Sequence, residues 1–439
     1  MTALPGPVTP AAPGVQERRF HYAWVVVAVT FVAMLVAAGI RAAPATFIVP
    51  FETAFGWDRA SVSLVVAISI LAYGLGAPLG GTLMDRVGPR WTMSGGLVLV
   101  GAGLLGMLGM TQLWQFLLLW GGVVGIGTGM LSSVLAATVA QRWFRTNRGV
   151  VMGLLSSAGS AGQLVFLPSL VAITLASGWT GAVSTMAIAA GVLVPVAVLL
   201  MRDRPEDVGR RPVGDDGTLP PERNEDGSAA TTIVPLRAAA RSWDFWLLAG
   251  SFFVCGFTSN GLIGTHLLPH AIEHGFAETT AASALALMGA MNAVGTLASG
   301  WLTDRYDNRR LLAIFYALRA SSIFLLPFVA EASGLYAFAV VMGLDWIATV
   351  PPTANLVSRI WGRANVGKLY GWIFFSHMVG AALAAWAGGV VREVFGDYTA
   401  IFLAAGLLGL VAAAMALRIS HPGLARRPDA GLSPAAPPG

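Results

Sequence analysis

The sequence predicts an all-α integral membrane protein, with twelve transmembrane helices in two six-helix bundles. Three observations predict it. Hydrophobic residues make up 56% of the 439 and charged residues only 11%, more apolar surface than a water-soluble chain can hide. Apolar runs long enough to cross a bilayer recur near 22–50, 60–83, 91–111, 114–140, 148–176, 180–201, 243–269, 279–302, 310–330, 334–358, 367–392 and 397–418. Two landmarks also repeat. Gly81-Thr-Leu-Met-Asp85-Arg86-Val-Gly88-Pro-Arg90 returns 219 residues later as Gly300-Trp-Leu-Thr-Asp304-Arg305-Tyr-Asp-Asn-Arg309. Asn147-Arg-Gly149-Val-Val-Met-Gly153 returns 218 residues later as Asn365-Val-Gly367-Lys-Leu-Tyr-Gly371. Two independent landmarks at nearly one offset mean that six spans are duplicated.

The elements follow in order. Residues 1–21 form a tail, Pro/Ala/Gly-rich and then basic, with no cleavable signal evident because the next apolar run is too long. That run carries Arg41 after Ala23–Ile40. An Arg at helix-centre depth costs about 2.5–3.5 kcal/mol on insertion scales, so something must offset it. Either Arg41 snorkels to the interface, being close to Pro50, or it faces a central cavity and grips an anion. The first bundle is expected over 22–201 and the second over 243–419, with a second tail over 420–439. Between the bundles, 202–242 is rich in Pro, Gly, Asp, Glu and Arg and reads as a flexible polar linker. Its last part, Ile233–Arg241, is expected to form a short surface helix.

Charge sets the expected orientation. With the N-terminus placed inside, all 27 Lys and Arg fall in cytoplasmic segments except Arg41, Arg59, Arg319 and Arg392. This asymmetry puts both termini and the linker in the cytoplasm. The net charge of +5 is spread over short loops, which argues for topology and against nucleic-acid binding. The one cysteine, Cys255, excludes an intrachain disulfide. There is no Gly-Lys-Ser/Thr phosphate loop, so ATP-driven transport is unsupported. No nucleophile–base constellation lies outside the spans, so an enzyme is not expected.

On the two loop motifs the chain resembles the major facilitator superfamily. The glycines let helices approach closely, and Asp85, Arg86, Arg90, Asp304 and Arg305 can form charge-assisted bonds across a cytoplasmic gate. Gly81, Gly88 and Gly300 belong to the same gate. Pro89 departs from the basic residue usual there, and Asp307 from a Gly. Within the superfamily the chain is similar to the monocarboxylate-transporter-like group, including bacterial members and the oxalate/formate exchangers. Tyr22-Ala-Trp24-Val-Val keeps the core of that group's first-span motif, although Arg19-Phe20-His21 stand where an acidic-Gly-Gly is usual. Trp143-Phe144-Arg145, with Arg148 and Gly153, resembles its second motif. Phe55-Gly-Trp57-Asp-Arg59 and Arg202-Asp-Arg-Pro205-Glu-Asp207-Val-Gly209 resemble phrases of bacterial members. The resemblance implies that spans one, four, seven and ten line a cavity. It also implies an eighth-span Arg, which Asn292-Ala-Val-Gly295-Thr296 lacks, and His377 aligns with the eleventh-span Lys of dicarboxylate exchangers.

The candidate substrate-binding residues are Arg41, Tyr73, Gln163, Asn260, His266, Asn292 and His377. One fixed Arg and a titratable His suit a monocarboxylate or an anion moved with a proton, whereas Tyr73, Gln163 and Asn292 taken singly are also ordinary helix–helix contacts. Asp345 and Arg319 are a proton-coupling group with its partner or a structural ion pair. His266, His270 and His274 have metal-binding spacing, but Pro269 interrupts the helix between them. His266 is instead read as facing the cavity and His270 as part of an outer gate; no metal and no cofactor is expected. The expected function is secondary transport of a small organic anion, a monocarboxylate, by alternating access, with protons as an expected coupling ion. The expected setting is the lipid bilayer of a bacterial inner (plasma) membrane. Efflux of amphipathic compounds is the alternative within transport, and a transporter-like membrane sensor the alternative outside it.

Overall fold

The computed structural model describes residues 21–215 and 233–420. They form helices connected by short turns. Helix α1 is Ala23–Ala42, continued through a tight turn at Ala43–Thr46 into Ile48–Phe55. Then come α2 (Arg59–Val87), α3 (Pro89–Met107) and α4 (Leu113–Trp143). A continuous helical stretch, Arg148–Leu200, is two helices joined at Gly178, whose φ of 68° and ψ of 178° no helix accommodates. Gly takes that backbone without a Cβ penalty, so α5 runs to 177 and α6 from 179. The second half comprises α7 (Trp243–Glu273), α8 (Glu278–Thr303), α9 (Asn308–Phe328), α10 (Ala332–Trp361), α11 (Val366–Phe395) and α12 (Thr399–Arg418). Among the described residues ten stretches are long and apolar enough to cross a membrane. Helix α3 and the first part of Arg148–Leu200 complete twelve.

Helices α1, α6, α7 and α12 have one end at the side where residues 201 and 243 leave the bundles, here the linker end. The buried apolar side chains form three clusters. One, at the linker end, is built by both halves, with Val26, Met84, Trp143 and Val151 beside Phe252, Leu312, Val357 and Tyr370. Toward the far end the core divides. One cluster holds first-half residues only, such as Ile40, Phe51, Trp120 and Met186, and the other second-half residues only, such as Leu262, Met288, Met342 and Phe402. The halves therefore share a core at one end and part at the other.

Among the described residues α1, α4, α7 and α10 are irregular within their length. Helix α1 turns at Ala43–Thr46. Helix α4 widens into a π-helical segment at Leu117–Val124 and breaks at Leu131-Ser132. Helix α7 is π-helical over Phe257–Ile263, and α10 stops at Asp345 and resumes at Val350. Non-helical backbone at membrane depth is tolerated only where it is buried in protein or lines a cavity.

The linker departs from a free polar tether. Asp203 Oδ1 accepts from the Arg90 amide at 2.8 Å, and Arg145 pairs with Asp215 at 3.0 Å. Val213 exchanges backbone hydrogen bonds with Trp143 and Arg145. On the other side, the Val234 amide donates to Asn365 Oδ1 at 2.7 Å and its carbonyl accepts from Lys368 Nζ at 2.9 Å. Helix there is confined to Leu236–Ala239, shorter than the expected Ile233–Arg241, because Pro235 supplies its start and one turn is all that packs. Residues 1–20, 216–232 and 421–439 of the expected tails and linker lie outside the described residues.

Candidate functional site

The seam at the linker end is built twice. A Cβ on Gly81 of α2 would fall on the Gly367 carbonyl of α11, and one on Gly149 of α5 on the Gly300 carbonyl of α8. Backbones that close admit no side chain. Beside each crossing an Asp caps the facing helix. Asp304 accepts from the amides of Gly149 (2.7 Å) and Val150 (3.0 Å), and Asp85 from that of Lys368 (3.1 Å). Carboxylates are stabilised at such helix starts by free N–H groups and the helix dipole. Each sequence landmark thus meets the partner landmark of the other half. Arg86 and Arg305 are exposed and do not bridge the seam. Arg305 instead lies over its own Trp301 ring at 4.1 Å, and Arg90 over Trp91 at 5.1 Å. The nearby cation is Arg142, 3.9 Å from Asp85 and donating to the Met84 carbonyl at 2.9 Å, a residue the motif does not contain. Gly88 turns the loop at φ 92° against Asp203. Asp304→Ala removes two charge-assisted bonds, each worth about 1.5–3 kcal/mol. It should shift the population toward states open at the linker end, read as faster labelling of a cysteine introduced at Ser133.

Above this seam lies a polar belt at mid-depth. Tyr73 is the midpoint of the 29-residue α2, and the Arg41 guanidinium carbon sits 4.6 Å from its ring centroid. This sets the Arg41 guanidinium level with the middle of α2 rather than with its end. The turn after Arg41 is fixed by Pro44 and by Phe47 and Phe51, both fully buried. Their rings meet Trp120 at 6.0 Å, Phe116 at 5.0 Å and Trp179 at 5.3 Å. Among the described residues Arg41 has no ion pair and no hydrogen bond; the cation–π contact is its partner. Such a contact contributes about 0.5–2 kcal/mol, less than the cost of an Arg at this depth, and leaves its N–H donors free.

From Tyr73 the belt crosses to the second half. The Tyr73 ring lies 5.8 Å from Phe374, and Phe374 stacks on His377 at 5.7 Å. Nε2 of His377 is 3.2 Å from Nδ2 of Asn260, which sits exposed in the π-helical segment of α7. Arg41, Tyr73, His377 and Asn260 are therefore brought into one chain of contacts. Phe374 and the π segment carry no signal in the sequence.

Other expected residues lie elsewhere. Asn292 donates to Ser160 of α5 at 2.5 Å and bonds its own helix through Thr296, so it ties the seam at mid-depth. His266 differs from its expected cavity position. It is buried, with Nε2 3.0 Å from the Ala385 carbonyl and its ring 5.1 Å from Tyr398, packed inside the second half. His270 is buried there too, against His274 at 3.9 Å and Phe402 at 4.8 Å. Arg319 and Asp345 pair at 2.5 Å, both buried. The Gln163 side chain lies outside the described residues.

A helical membrane protein with duplicated halves, joined at one end and parted at the other around a polar belt, is a transmembrane transporter. The chain belongs to the major facilitator superfamily, whose family model matches residues 29–344 and 251–437; it is a transporter and not an enzyme. It is 27% identical to the MFS-type transporter YcxA of Bacillus subtilis, over 86% of this chain and 90% of that one. It is 26% identical to monocarboxylate transporter 13 of Bos taurus (91% and 90%) and 25% identical to monocarboxylate transporter 11 of Homo sapiens (88% and 80%). Among solved structures it resembles the E. coli fucose:proton symporter FucP, with a TM-score of 0.69 and 17% identity over 91% of this chain and 100% of that one. It also resembles the human organic anion transporter TETRAN, with a TM-score of 0.69 and 16% identity over 90% and 99%. At these identities the two structures speak for the fold.

Proposed function

We propose that the chain is a secondary transporter of a small organic anion, a monocarboxylate, working by alternating access. The observation that carries the reading is Arg41: a guanidinium at mid-depth, stacked on Tyr73, with free donors where the two cores part. A carboxylate matches that fork in a charge-assisted, bidentate pair. Asn260 and His377 from the second half would close on the rest of the substrate, so that occupancy joins the two halves. The bundles 22–201 and 243–419 would rock about the site, with the glycine seam closed in the form seen here. The names of the mammalian relatives favour the same substrate class. Proton coupling would use His377, the belt's titratable side chain beside the substrate. Both termini would be cytoplasmic, in a bacterial inner membrane, as the charge asymmetry favours.

The test is counterflow in proteoliposomes with radiolabelled monocarboxylates, dicarboxylates and neutral analogues. Exchange of a monocarboxylate in preference to its neutral amide is the expected result. Exchange of neutral amphipathic compounds alone would sink the anion reading in favour of efflux. Binding without any flux would point to a sensor. A protonophore should collapse concentrative uptake if protons couple.

A further inference from the structure

Arg319 makes far more contacts than an ion pair needs. It is fully buried on α9. Nε donates to Asp345 Oδ2 at 2.5 Å, and Nη2 to the carbonyls of Asp345 (2.6 Å) and Trp346 (3.3 Å). Nη1 reaches Cys255 Sγ at 2.9 Å, with the Cys255 carbonyl and Thr258 Oγ1 each at 3.4 Å. These acceptors sit where two helices are irregular. Asp345 and Trp346 mark the stop in α10, and Cys255 and Thr258 flank the onset of the π-helical segment that carries Asn260. A helix break frees carbonyls that a membrane interior cannot hydrate. Arg319 satisfies the Asp345 and Trp346 carbonyls at the α10 stop and, with the same rigid fork, holds Cys255 Sγ at the α7 onset, where the Cys255 carbonyl also accepts from Ser259 Oγ at 2.6 Å. Further bonds cross-link the same region, between Cys255 Sγ and Thr349 Oγ1 at 3.1 Å and from Ser299 to the Ala348 carbonyl.

We infer that Arg319 is a positioning residue, pinning the irregular segments of α7 and α10 together so that Asn260 is held toward the site. Asp345 then serves as the counter-charge that lets the guanidinium stay buried, and not as a proton carrier. The inference relies on the proposed site only in taking Asn260 as a substrate contact. Among the described residues Asp345 Oδ1 has no hydrogen-bond partner, and that is the atom a proton-carrying role would use, so the experiment separates the two roles.

The double variant Arg319→Met with Asp345→Leu removes both charges together, a swap that buried ion pairs often tolerate in stability. Cys255 is the sole cysteine and is buried, so maleimide labelling of the full chain in proteoliposomes reports on the pin without any substrate. The expected result is labelling faster by about tenfold or more, since local opening sets the rate. In counterflow, KM should rise by about tenfold with the saturated rate and the pH profile retained, the loss of one well-placed hydrogen bond to substrate. Arg319→Lys keeps the charge but cannot span both breaks, and should give the same labelling if the double variant fails to fold. Wild-type protection of Cys255 with wild-type KM overturns the inference. So does loss of pH dependence with Cys255 still protected, which makes Asp345 the proton carrier. Fast labelling in a protein that moves no carboxylate upholds the pin and removes the substrate reading alone.

Discussion

Replacing Arg41 by Ala should lower carboxylate exchange at subsaturating substrate by about two orders of magnitude, the equivalent of roughly 3 kcal/mol. A bidentate charge-assisted pair in a partly desolvated site is worth that much. The sign of the stability change separates binding from folding. Among the described residues Arg41 has only the Tyr73 ring as partner, and burying an Arg at this depth costs about 2.5–3.5 kcal/mol. The alanine variant should therefore melt no lower than wild type in detergent while transport is lost. Arg41→Lys should recover part of the activity, because it restores the charge and loses the planar fork. Undiminished exchange by the alanine variant would show that Arg41 holds no substrate.

A second large effect is expected at the seam. Gly149→Val places a branched Cβ against the Gly300 carbonyl oxygen. Side-chain overpacking in a core costs about 1–3 kcal/mol, and here the obstructing atoms are backbone that cannot rotate away. The form closed at the linker end should become inaccessible, and uptake should fall below about a tenth of wild type. Because each half remains packed on its own core, the protein should still fold. A cysteine introduced by Ser133→Cys into a Cys255→Ser chain tests this. Ser133 faces Tyr370 across the seam at 3.3 Å, so reagent reaches it when the linker end opens. Rapid labelling in the valine variant is expected. Slow labelling with normal uptake would mean that the seam yields without closing so tightly.

Much of this architecture is written in local sequence. Apolar run length set the spans, and the two repeated landmarks set the duplication, because each reports a property of a few neighbouring residues. Gly178 lies inside the gap read between the fifth and sixth runs. Arg41 stood out because a charge in an apolar run has few physical explanations. The helix irregularities did not show, since a π-helical turn needs no Pro and leaves hydropathy unchanged. Their effect is large. One extra residue per turn rotates everything beyond it by about 100°, and His266 lies just past the π-helical segment of α7, packed against Ala385. Arg142 and Ser160 were unreadable for a different reason. Arg142 matters through Asp85 and Met84 on another helix of its own half, and Ser160 through Asn292 of the other half, and no single-helix pattern encodes either. The linker's docking was hidden likewise, because composition cannot distinguish a solvated polar segment from one whose backbone is bonded to neighbouring loops.

The doubled seam has a consequence for ancestry. Gly81 and Asp85 meet Gly367 and Lys368, while Gly300 and Asp304 meet Gly149 and Val150. Each half thus carries both faces of one contact, as the subunits of a two-fold symmetric dimer do. A primordial six-helix chain bearing both landmarks would have been complementary to a second copy of itself. Gene duplication and fusion would then have made permanent a pairing already stable between separate molecules, and freed the two copies to diverge. Arg41 marks that divergence: the first half kept a cation in its first helix, and the corresponding helix of the second half carries the neutral Asn260.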